Sequence, residues 1–189
     1  MTGLLATALS GVFVLSNFPA ATALASSSGL SLSPEPTYLS LHVTMTAYNA
    51  VEEQTDGNPH ITAIGAFSDP DVVVARSKDL ADELPYGTVI DVVPNPDSKD
   101  PNCGLAVVQN RIGLRVVADA MHSRKRNQVD VLFDMKPVMV GGKKTNPAIA
   151  LGYCKDVEIR VIGRIDTNKM PKTQTELAAM MGTSPFALR

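Results

Sequence analysis

Two aspartates interrupt apolar runs in the stretch VVADAMHSRKRNQVDVLFD at 116–134. Asp119 ends the run LRVVA, and Asp130 lies inside the run VDVLF. A carboxylate in or beside a core strand is costly to ionise unless a partner stabilises it. If the strand ends bring both carboxyl groups into one cleft, partial burial and a like charge raise one pKa and create a general acid.

Both aspartates also have a simpler interpretation. In a strand, Val129, Val131 and Phe133 share one face, which leaves Asp130 on the other face, towards solvent or a groove. Asp119 can start a turn by bonding to its own backbone. The pattern alone therefore leaves a structural and a catalytic role open.

Four further polar residues accompany the two aspartates. Thr46 and Tyr48 lie two apart in LHVTMTAY, so their hydroxyls share a strand face and could orient a sugar or a carboxylate, or simply suit a pleated surface. Asp56 in TDGNP offers a third acid, although DGNP is also a turn sequence. Arg124 in HSRKR could pair with one of the two aspartates, because guanidinium and carboxylate fit bidentately, or lie in a solvated loop.

The sequence offers no motif for a metal or a cofactor. Its three histidines form no H-x-H or H-x-x-x-H pair, and neither cysteine has a second ligand at zinc spacing. A P-loop, a dinucleotide fingerprint and a G-x-S-x-G elbow are also missing from the sequence. We therefore expect neither a metal nor a cofactor.

Composition favours one globular domain with appendages in this chain of 189 residues. The hydrophobic share of 44% is ordinary. A formal charge of −2 creates no general field for nucleic acid or an anionic membrane, so no nucleic-acid partner is expected. With no tryptophan and 5% aromatic residues, an aromatic platform for sugars or single strands is disfavoured.

The N-terminal segment has the composition of a signal peptide or a membrane anchor. Residues 4–25 are apolar and uncharged, and Ala23-Leu24-Ala25 fits the small-x-small pattern before a cleavage site, although a basic n-region is missing. A buried core helix is the alternative. We assign 1–25 to the signal peptide or anchor and 26–40 to a Ser/Pro-rich linker. We therefore expect export to the periplasm, the cell envelope or the exterior.

Export changes the interpretation of the two cysteines, Cys103 and Cys154. In an oxidising compartment they can form one disulfide that closes a long loop. The alternative is two separate thiols.

Short apolar runs predict about six β-strands with one or two small helices between them, which favours a closed β-barrel over a doubly wound sheet. The predicted strand runs are LHVTMTAY, VVVAR, TVIDVV, LAVVQ, GLRVVA, VDVLF and KDVEIRVIG. The barrel is expected over 41–165. The long loop at 49–71, with at most a short strand at HITAIG, is expected to be functional or disordered.

Helix signals are few. SKDLADEL predicts a short helix capped by Ser77. NPAIALGY predicts one or two helical turns that begin at Asn146 and Pro147. The tail at 166–189 can form one short helix, capped by Thr173 or Thr175.

Taken in chain order, several motifs resemble the three-aspartate domain family of bacterial cell-wall proteins. The motifs are TMTAY, QTDGNPHITAIG, VVVARSKDLADELPYGTVIDV, GLRVVADAMHSRKRNQVDVLFD, an A-x-x-L-G turn and VEIRVIG. The family includes the catalytic domain of membrane-bound lytic transglycosylase A and the muralytic stationary-phase survival proteins. The resemblance covers roughly 42–163 and is most specific in the combination of P-x-G-T, D-x-M-x-x-R and V-D-V.

The resemblance implies a mainly β fold, a six-stranded double-psi β-barrel, that acts on peptidoglycan. The family's chemistry is cleavage of the MurNAc–GlcNAc bond by one aspartic acid. This acid protonates the glycosidic oxygen and then accepts the proton of the C6 hydroxyl of MurNAc, which leaves a 1,6-anhydro end. Position by position, Asp119 matches the family's central aspartate and is the expected acid, and Asp130 matches the third, which would hold or tune it.

The chain departs from the family pattern at two places. Residues 74–77 read Val-Ala-Arg-Ser where the family has its first aspartate, so Ser77 or Asp79 could substitute. Ala120 and Met121 replace a glycine pair that would let a sugar approach the backbone closely.

The sequence therefore predicts an exported, monomeric lytic transglycosylase that binds peptidoglycan glycan strands, with Asp119 and Asp130 as catalytic residues. The residues expected to bind substrate are Thr46, Tyr48, Asp56, Ser77 and Arg124. The missing first aspartate and glycine pair favour an alternative, a non-catalytic peptidoglycan-binding module. A second alternative is a glycoside hydrolase that uses water, with Asp119 and Asp130 as a pair.

Overall fold

Six strands close into a barrel, and a two-stranded hairpin lies beside it. The computed structural model describes residues 38–55, 58–93 and 100–182. The strands are β1 (Leu39–Asn49), β2 (Val73–Arg76), β3 (Thr88–Val92), β4 (Arg115–Ala120), β5 (Gln128–Phe133), β6 (Val138–Val140), β7 (Lys143–Thr145) and β8 (Cys154–Arg164). The order around the barrel is β1-β5-β2-β4-β3-β8, and β6 pairs with β7.

The mainly β architecture and the closed six-stranded barrel confirm the fold expected from the sequence. The barrel contains two parallel pairs, β1 with β5 and β2 with β4, and its remaining pairs are antiparallel. Its strands span 39–164, close to the expected 41–165. The predicted segment at 1–25, the linker up to residue 37, and Asp56 lie outside the described residues.

Alternating apolar side chains fill the barrel interior. Val129, Val131 and Phe133 of β5 belong to the inner cluster, together with residues of every other barrel strand. Leu132 belongs to a second cluster on the outer surface of the barrel. Asp130 therefore points outward with Leu132, as the alternation in the sequence predicted.

The described residues contain three short α-helices: α1 (Leu105–Val108), α2 (Pro147–Leu151) and α3 (Gln174–Met180). The side chain of Asn146 caps α2 by accepting a hydrogen bond from the backbone of Ala148. Thr173 caps α3 in the same way by accepting from Glu176. Both predicted caps are confirmed. No helix among the described residues is long and apolar enough to cross a membrane.

Two predicted elements are wrong. The run LAVVQ forms α1 rather than a strand, because Leu105 and Val108 are buried three residues apart while Val107 remains exposed. SKDLADEL forms only a short 3-10 helix, Lys78–Leu80, and the Ser77 side chain caps nothing. Instead, the Ser77 hydroxyl accepts a hydrogen bond from the backbone N–H of Gln128 at 3.0 Å.

The loop at 49–71 contains no regular strand at HITAIG. A single antiparallel bridge joins Ile61 to Phe67, and the backbone of Thr62 donates to the carbonyl of Ala66 at 2.9 Å. The hairpin of β6 and β7 was not predicted, because its two strands have three residues each and lack an alternating pattern.

A fully buried arginine ties the loop before β2 to the barrel. Arg115 of β4 donates to the carbonyl oxygens of Ile112, Pro70, Arg111 and Leu132 at 2.6–3.1 Å. Burial lowers the pKa of Arg115 to about 10, which leaves the guanidinium charged at neutral pH. Its hydrogen bonds therefore fix the loop at 69–72 against β4 and β5.

The predicted disulfide is present. Cys103, just before α1, is bonded to Cys154 at the start of β8, and 51 positions separate the two in sequence. A second contact supports the same junction, because the backbone of Tyr153 donates to the carbonyl of Asn102 at 2.9 Å. The bond therefore connects α1 to the barrel.

Replacing both cysteines (C103A/C154A) should lower the free energy of unfolding by about 4 kcal/mol, because the unfolded chain loses a crosslink over a loop of this length. Urea denaturation of the two proteins measures the difference. As a control, a reductant should destabilise the wild type to a similar degree and leave the variant unchanged. Equal unfolding midpoints for both proteins would contradict a stabilising bond.

Candidate functional site

Two carboxyl groups flank one small residue on the outer surface of the barrel. Ala75 of β2 pairs with Asp119 of β4 on one side and with Asp130 of β5 on the other. Asp130 pairs in turn with Thr46 of β1. Residues directly opposite each other on neighbouring strands share a face. Thr46, Asp130, Ala75 and Asp119 therefore form a row across four adjacent strands.

A β-bulge in β4 places Asp119 in this row. Val74 pairs with Val117, but the next residue of β2, Ala75, pairs with Asp119, so Ala118 is an extra residue on β4. Val117 belongs to the inner cluster, and regular alternation would point Asp119 inward with it. The bulge reverses this alternation and turns Asp119 onto the same face as Asp130.

Both aspartates line one cavity of about 880 Å³. Ala75 lies between them in the wall, and its small side chain leaves the space above it open. Tyr48 lines the same cavity, and the loop residues 61–63 form another wall. The cavity has the size of pockets that hold small organic ligands.

Asp119 accepts three hydrogen bonds. The Tyr48 hydroxyl donates to Oδ2 at 2.9 Å. The backbone N–H groups of Ala63 and Ala120 both donate to Oδ1 at 2.9 Å. Burial raises the pKa of Tyr48 well above its usual value, and the Asp119 charge adds to this effect, so the phenol keeps its proton. Asp119 is thus surrounded by donors and acts as an acceptor.

Asp130 has a different environment. The Thr46 hydroxyl donates to Oδ1 at 2.6 Å and itself accepts a hydrogen bond from Gln128 Nε2 at 2.8 Å. Burial raises the pKa of Asp130 to about 6, and the negative charge of Asp119 acts in the same direction. The Thr46 hydrogen bond and the Lys125 charge oppose this rise. Asp130 therefore holds a proton in weakly acidic solution.

The two oxygens of Asp130 differ in their contacts. None of the hydrogen bonds between described residues ends on Oδ2. Within the described part of the chain, every fully buried side-chain oxygen and nitrogen has a hydrogen-bond partner. Asp130 lines the cavity, and Oδ2 has no partner among the described residues, so we take it as the oxygen that a bound molecule can contact. A proton on this oxygen can reach a bound molecule.

Four of the sequence-predicted site residues meet in this cleft: Asp119, Asp130, Tyr48 and, behind Asp130, Thr46. Ser77 does not belong to it. Its side chain is fully buried and serves the contact between the end of β2 and the start of β5. The structure therefore places Ser77 outside the cleft, and its substrate-binding role stays a prediction.

Arg124 is exposed, and no ion pair between described residues joins it to either aspartate. Of the two alternatives for Arg124, the described residues therefore show the solvated loop and not the guanidinium–carboxylate pair. The next residue, Lys125, lines the cavity and lies close enough to Asp130 to lower its pKa. Asp56 lies outside the described residues.

Sequence reasoning missed four contributors to the cleft. The Ala63 contact uses a backbone N–H group, which has no signature in the side chain. Gln128 acts through Thr46. It pairs with Thr44 in the register of β5 against β1, but its side chain donates to Thr46, two residues further along β1. Lys78 lines the cavity from the 3-10 helix. The helix predicted for this segment did not indicate that its side chain would face a cavity. Only the position of Lys125 beside Arg124 in the basic turn could have indicated its role.

Among the described residues, no group of three or more histidine, cysteine, aspartate and glutamate side chains is arranged to hold a metal ion. No family model matches the chain, and no curated protein matches its sequence. The cleft itself offers one carboxyl group with a raised pKa and a second that accepts three hydrogen bonds.

Replacing Asp130 by asparagine (D130N) should stabilise the protein more at high pH than at low pH. The folded-state pKa lies above the unfolded value of 3.8, so the wild type loses stability as pH rises through about 6. The rise in the pKa of Asp130 corresponds to about 2–3 kcal/mol in the free energy of unfolding. Unfolding at about pH 4 and about pH 8 measures the difference between the two proteins. A difference that does not change with pH would contradict a raised pKa.

Proposed function

We propose that the cleft cleaves peptidoglycan glycan strands at the MurNAc–GlcNAc bond, as a lytic transglycosylase with Asp130 as general acid. The observation that carries the proposal is a carboxyl group with a raised pKa and an accessible oxygen in a sugar-sized cavity. The order of motifs resembling the three-aspartate family supports the choice of substrate. Such a substrate requires export, which the segment at 1–25 is expected to provide.

The two aspartates have different roles in the proposed reaction. The sequence favoured Asp119 as the acid, but three donors converge on its two oxygens, which supports a role as acceptor. Among the described residues, Asp130 receives only the Thr46 hydroxyl, at Oδ1, which leaves Oδ2 for the substrate. We therefore assign proton transfer to Asp130. The negative charge of Asp119 raises the pKa of that acid and can stabilise positive charge that develops on the sugar ring.

The proposed reaction needs no water. Protonated Asp130 donates its proton to the glycosidic oxygen as the bond from this oxygen to C1 of MurNAc breaks. The Asp130 carboxylate then accepts the proton of the C6 hydroxyl as that oxygen bonds to C1. The products are a GlcNAc hydroxyl and a 1,6-anhydro-MurNAc end, and Asp130 is again protonated. A group with a pKa of about 6 suits both the acid and the base step.

Two lysines support an anionic substrate. Lys78 and Lys125 line the cavity beside the two aspartates. The peptides of peptidoglycan carry carboxylates, as does muramic acid without a peptide, and ammonium groups at the cavity wall can bind them. The positive charge of Lys125 also lowers the pKa of Asp130, so Lys125 and burial act on the acid in opposite directions.

Hydrolysis is the second candidate, because two carboxyl groups line one cavity. In that reaction Asp130 would be the acid and Asp119 would activate water or attack the sugar. The two reactions differ by one water in the mass of the product. The contacts of Asp119 favour the first candidate, since both of its oxygens already accept hydrogen bonds.

Purified sacculi and mass spectrometry of the released muropeptides test the proposal. The wild type should release anhydro-muropeptides, and D130N should reduce the rate by about 10²–10⁴-fold, the usual contribution of a general acid. D156N is a matched control, because Asp156 is exposed on β8 and pairs with His42. Sacculi that are bound but not cleaved would contradict an enzyme and support a binding module. Products one water heavier would support hydrolysis.

The pH dependence of the rate should respond in opposite directions to the neighbours of Asp130. The wild-type rate should fall as pH rises through about 6, because the acid loses its proton. T46V removes a hydrogen bond that lowers the pKa of Asp130, so the fall should move to higher pH. D119N removes a like charge that raises the pKa of Asp130, so in this variant the fall in rate should move to lower pH. Profiles that shift in the same direction in both variants would refute this assignment.

A further inference from the structure

The loop at 60–68, which we call the cleft loop, buries polar side chains and exposes apolar ones. Thr62 and Ser68 are buried, whereas the residues just before them, Ile61 and Phe67, are exposed at 47% and 60%. A loop that served only the stability of the fold would bury its large apolar side chains and leave its hydroxyls in water. Exposed apolar groups in such an arrangement are typical of a binding surface.

Ile61 and Phe67 form one continuous apolar surface, because the antiparallel bridge of the cleft loop joins them. On either side of this pair, the backbone N–H groups of Thr62 and Ser68 donate across the loop at 2.9 Å. The pair itself is therefore of the non-hydrogen-bonded kind, in which the side chains approach most closely. The His60 ring extends the surface, since it lies parallel to the Phe67 ring with 6.3 Å between the ring centroids.

The apolar pair lies at the mouth of the cleft. Ile61 lines the cavity that contains both aspartates and is nevertheless about half exposed. Phe67 lies next to Ile61 but outside the cavity lining. Two residues after Ile61, the backbone N–H of Ala63 donates to Asp119 at 2.9 Å. The cleft loop therefore contacts one carboxyl group of the site and continues the site outward as an apolar surface.

Hydrogen bonds within the cleft loop hold the apolar pair in place. Gly65 has a φ of +79° and donates to the carbonyl of Thr62 at 2.9 Å, which closes the turn. The Thr62 hydroxyl donates to the carbonyl of Ala66 at 3.2 Å. The contact of Ala63 with Asp119 connects the loop to β4. A surface that needs little ordering loses less entropy when a ligand binds.

We propose that Ile61 and Phe67 form a subsite for a sugar of the glycan strand that lies outside the cavity. The inference rests on the proposed function, because only a polymeric substrate continues from the cavity past its mouth. A pyranose ring has an apolar C–H face, which packs on an aromatic ring while the hydroxyls stay in water. Composition disfavours an extended aromatic platform, but a single ring beside a hydrogen-bonding cleft does not need one.

Binding of the full-length protein to purified sacculi tests the subsite, with D130N as the background so that the strands stay intact. D130N/F67A should bind about tenfold more weakly than D130N, because the sugar loses the ring on which it packs. D130N/F67Y keeps the ring and should bind as D130N does. D130N/Y153A is the matched control, because Tyr153 is also an exposed aromatic residue, at 45%, and lies outside the cavity lining. Circular dichroism checks that the variants fold.

Equal binding by D130N and D130N/F67A, or an equal loss in D130N/Y153A, would overturn the subsite and leave the proposed cleavage intact. A loss confined to D130N/F67A, together with a wild type that releases no anhydro-muropeptides, would support the subsite and contradict the proposed reaction. No binding by D130N would overturn both.

The active protein gives a second readout with solubilised glycan strands. F67A should raise KM and leave kcat near the wild-type value, because the lost contact is made equally in the ground state and the transition state. A fall in kcat with an unchanged KM would contradict a binding subsite.

Discussion

The site depends on one extra residue in β4. Ala118 interrupts the pairing of β4 with β2, so Asp119 turns out of the barrel and lies in the same row as Asp130. Both carboxyl groups then flank Ala75, whose methyl group leaves room for a cavity above it. Without the bulge, Asp119 would enter the apolar interior beside Val117, where a carboxylate has no partners.

Shared location does not make the two carboxyl groups equivalent. Asp119 meets a phenol whose raised pKa keeps it a donor, and two backbone N–H groups complete its shell. Asp130 accepts a hydrogen bond from the Thr46 hydroxyl. Gln128 donates to the oxygen of this hydroxyl, so the hydroxyl proton is directed at Asp130. Burial and the neighbouring charge of Asp119 then favour the protonated form of Asp130. The loop at 58–69 contributes to the difference between the two carboxyl groups, because the backbone N–H of Ala63 donates to Asp119.

Local rules predicted much of the fold. Alternation placed Asp130 on the outer face, and Asn146 with Pro147 marked the start of α2. LAVVQ was misassigned because a run of four or five apolar residues has no readable period, and tertiary burial of Leu105 and Val108 decides its form. The face of Asp119 and the Ala63 contact were beyond sequence reasoning, since a bulge and a backbone donor depend on long-range pairing. The pairing of Thr46 with Asp130 likewise required the register of β1 against β5.

The central claim is that Asp130 keeps its proton because of where the fold puts it. Carboxyl-carbon NMR of selectively labelled aspartate, with D130N to identify the resonance, measures this directly across the acidic pH range. The account predicts that the Asp130 signal titrates with a pKa of about 6 and moves to a lower pKa in D119N. A signal that titrates near the unperturbed value of 3.8 in both proteins would contradict it.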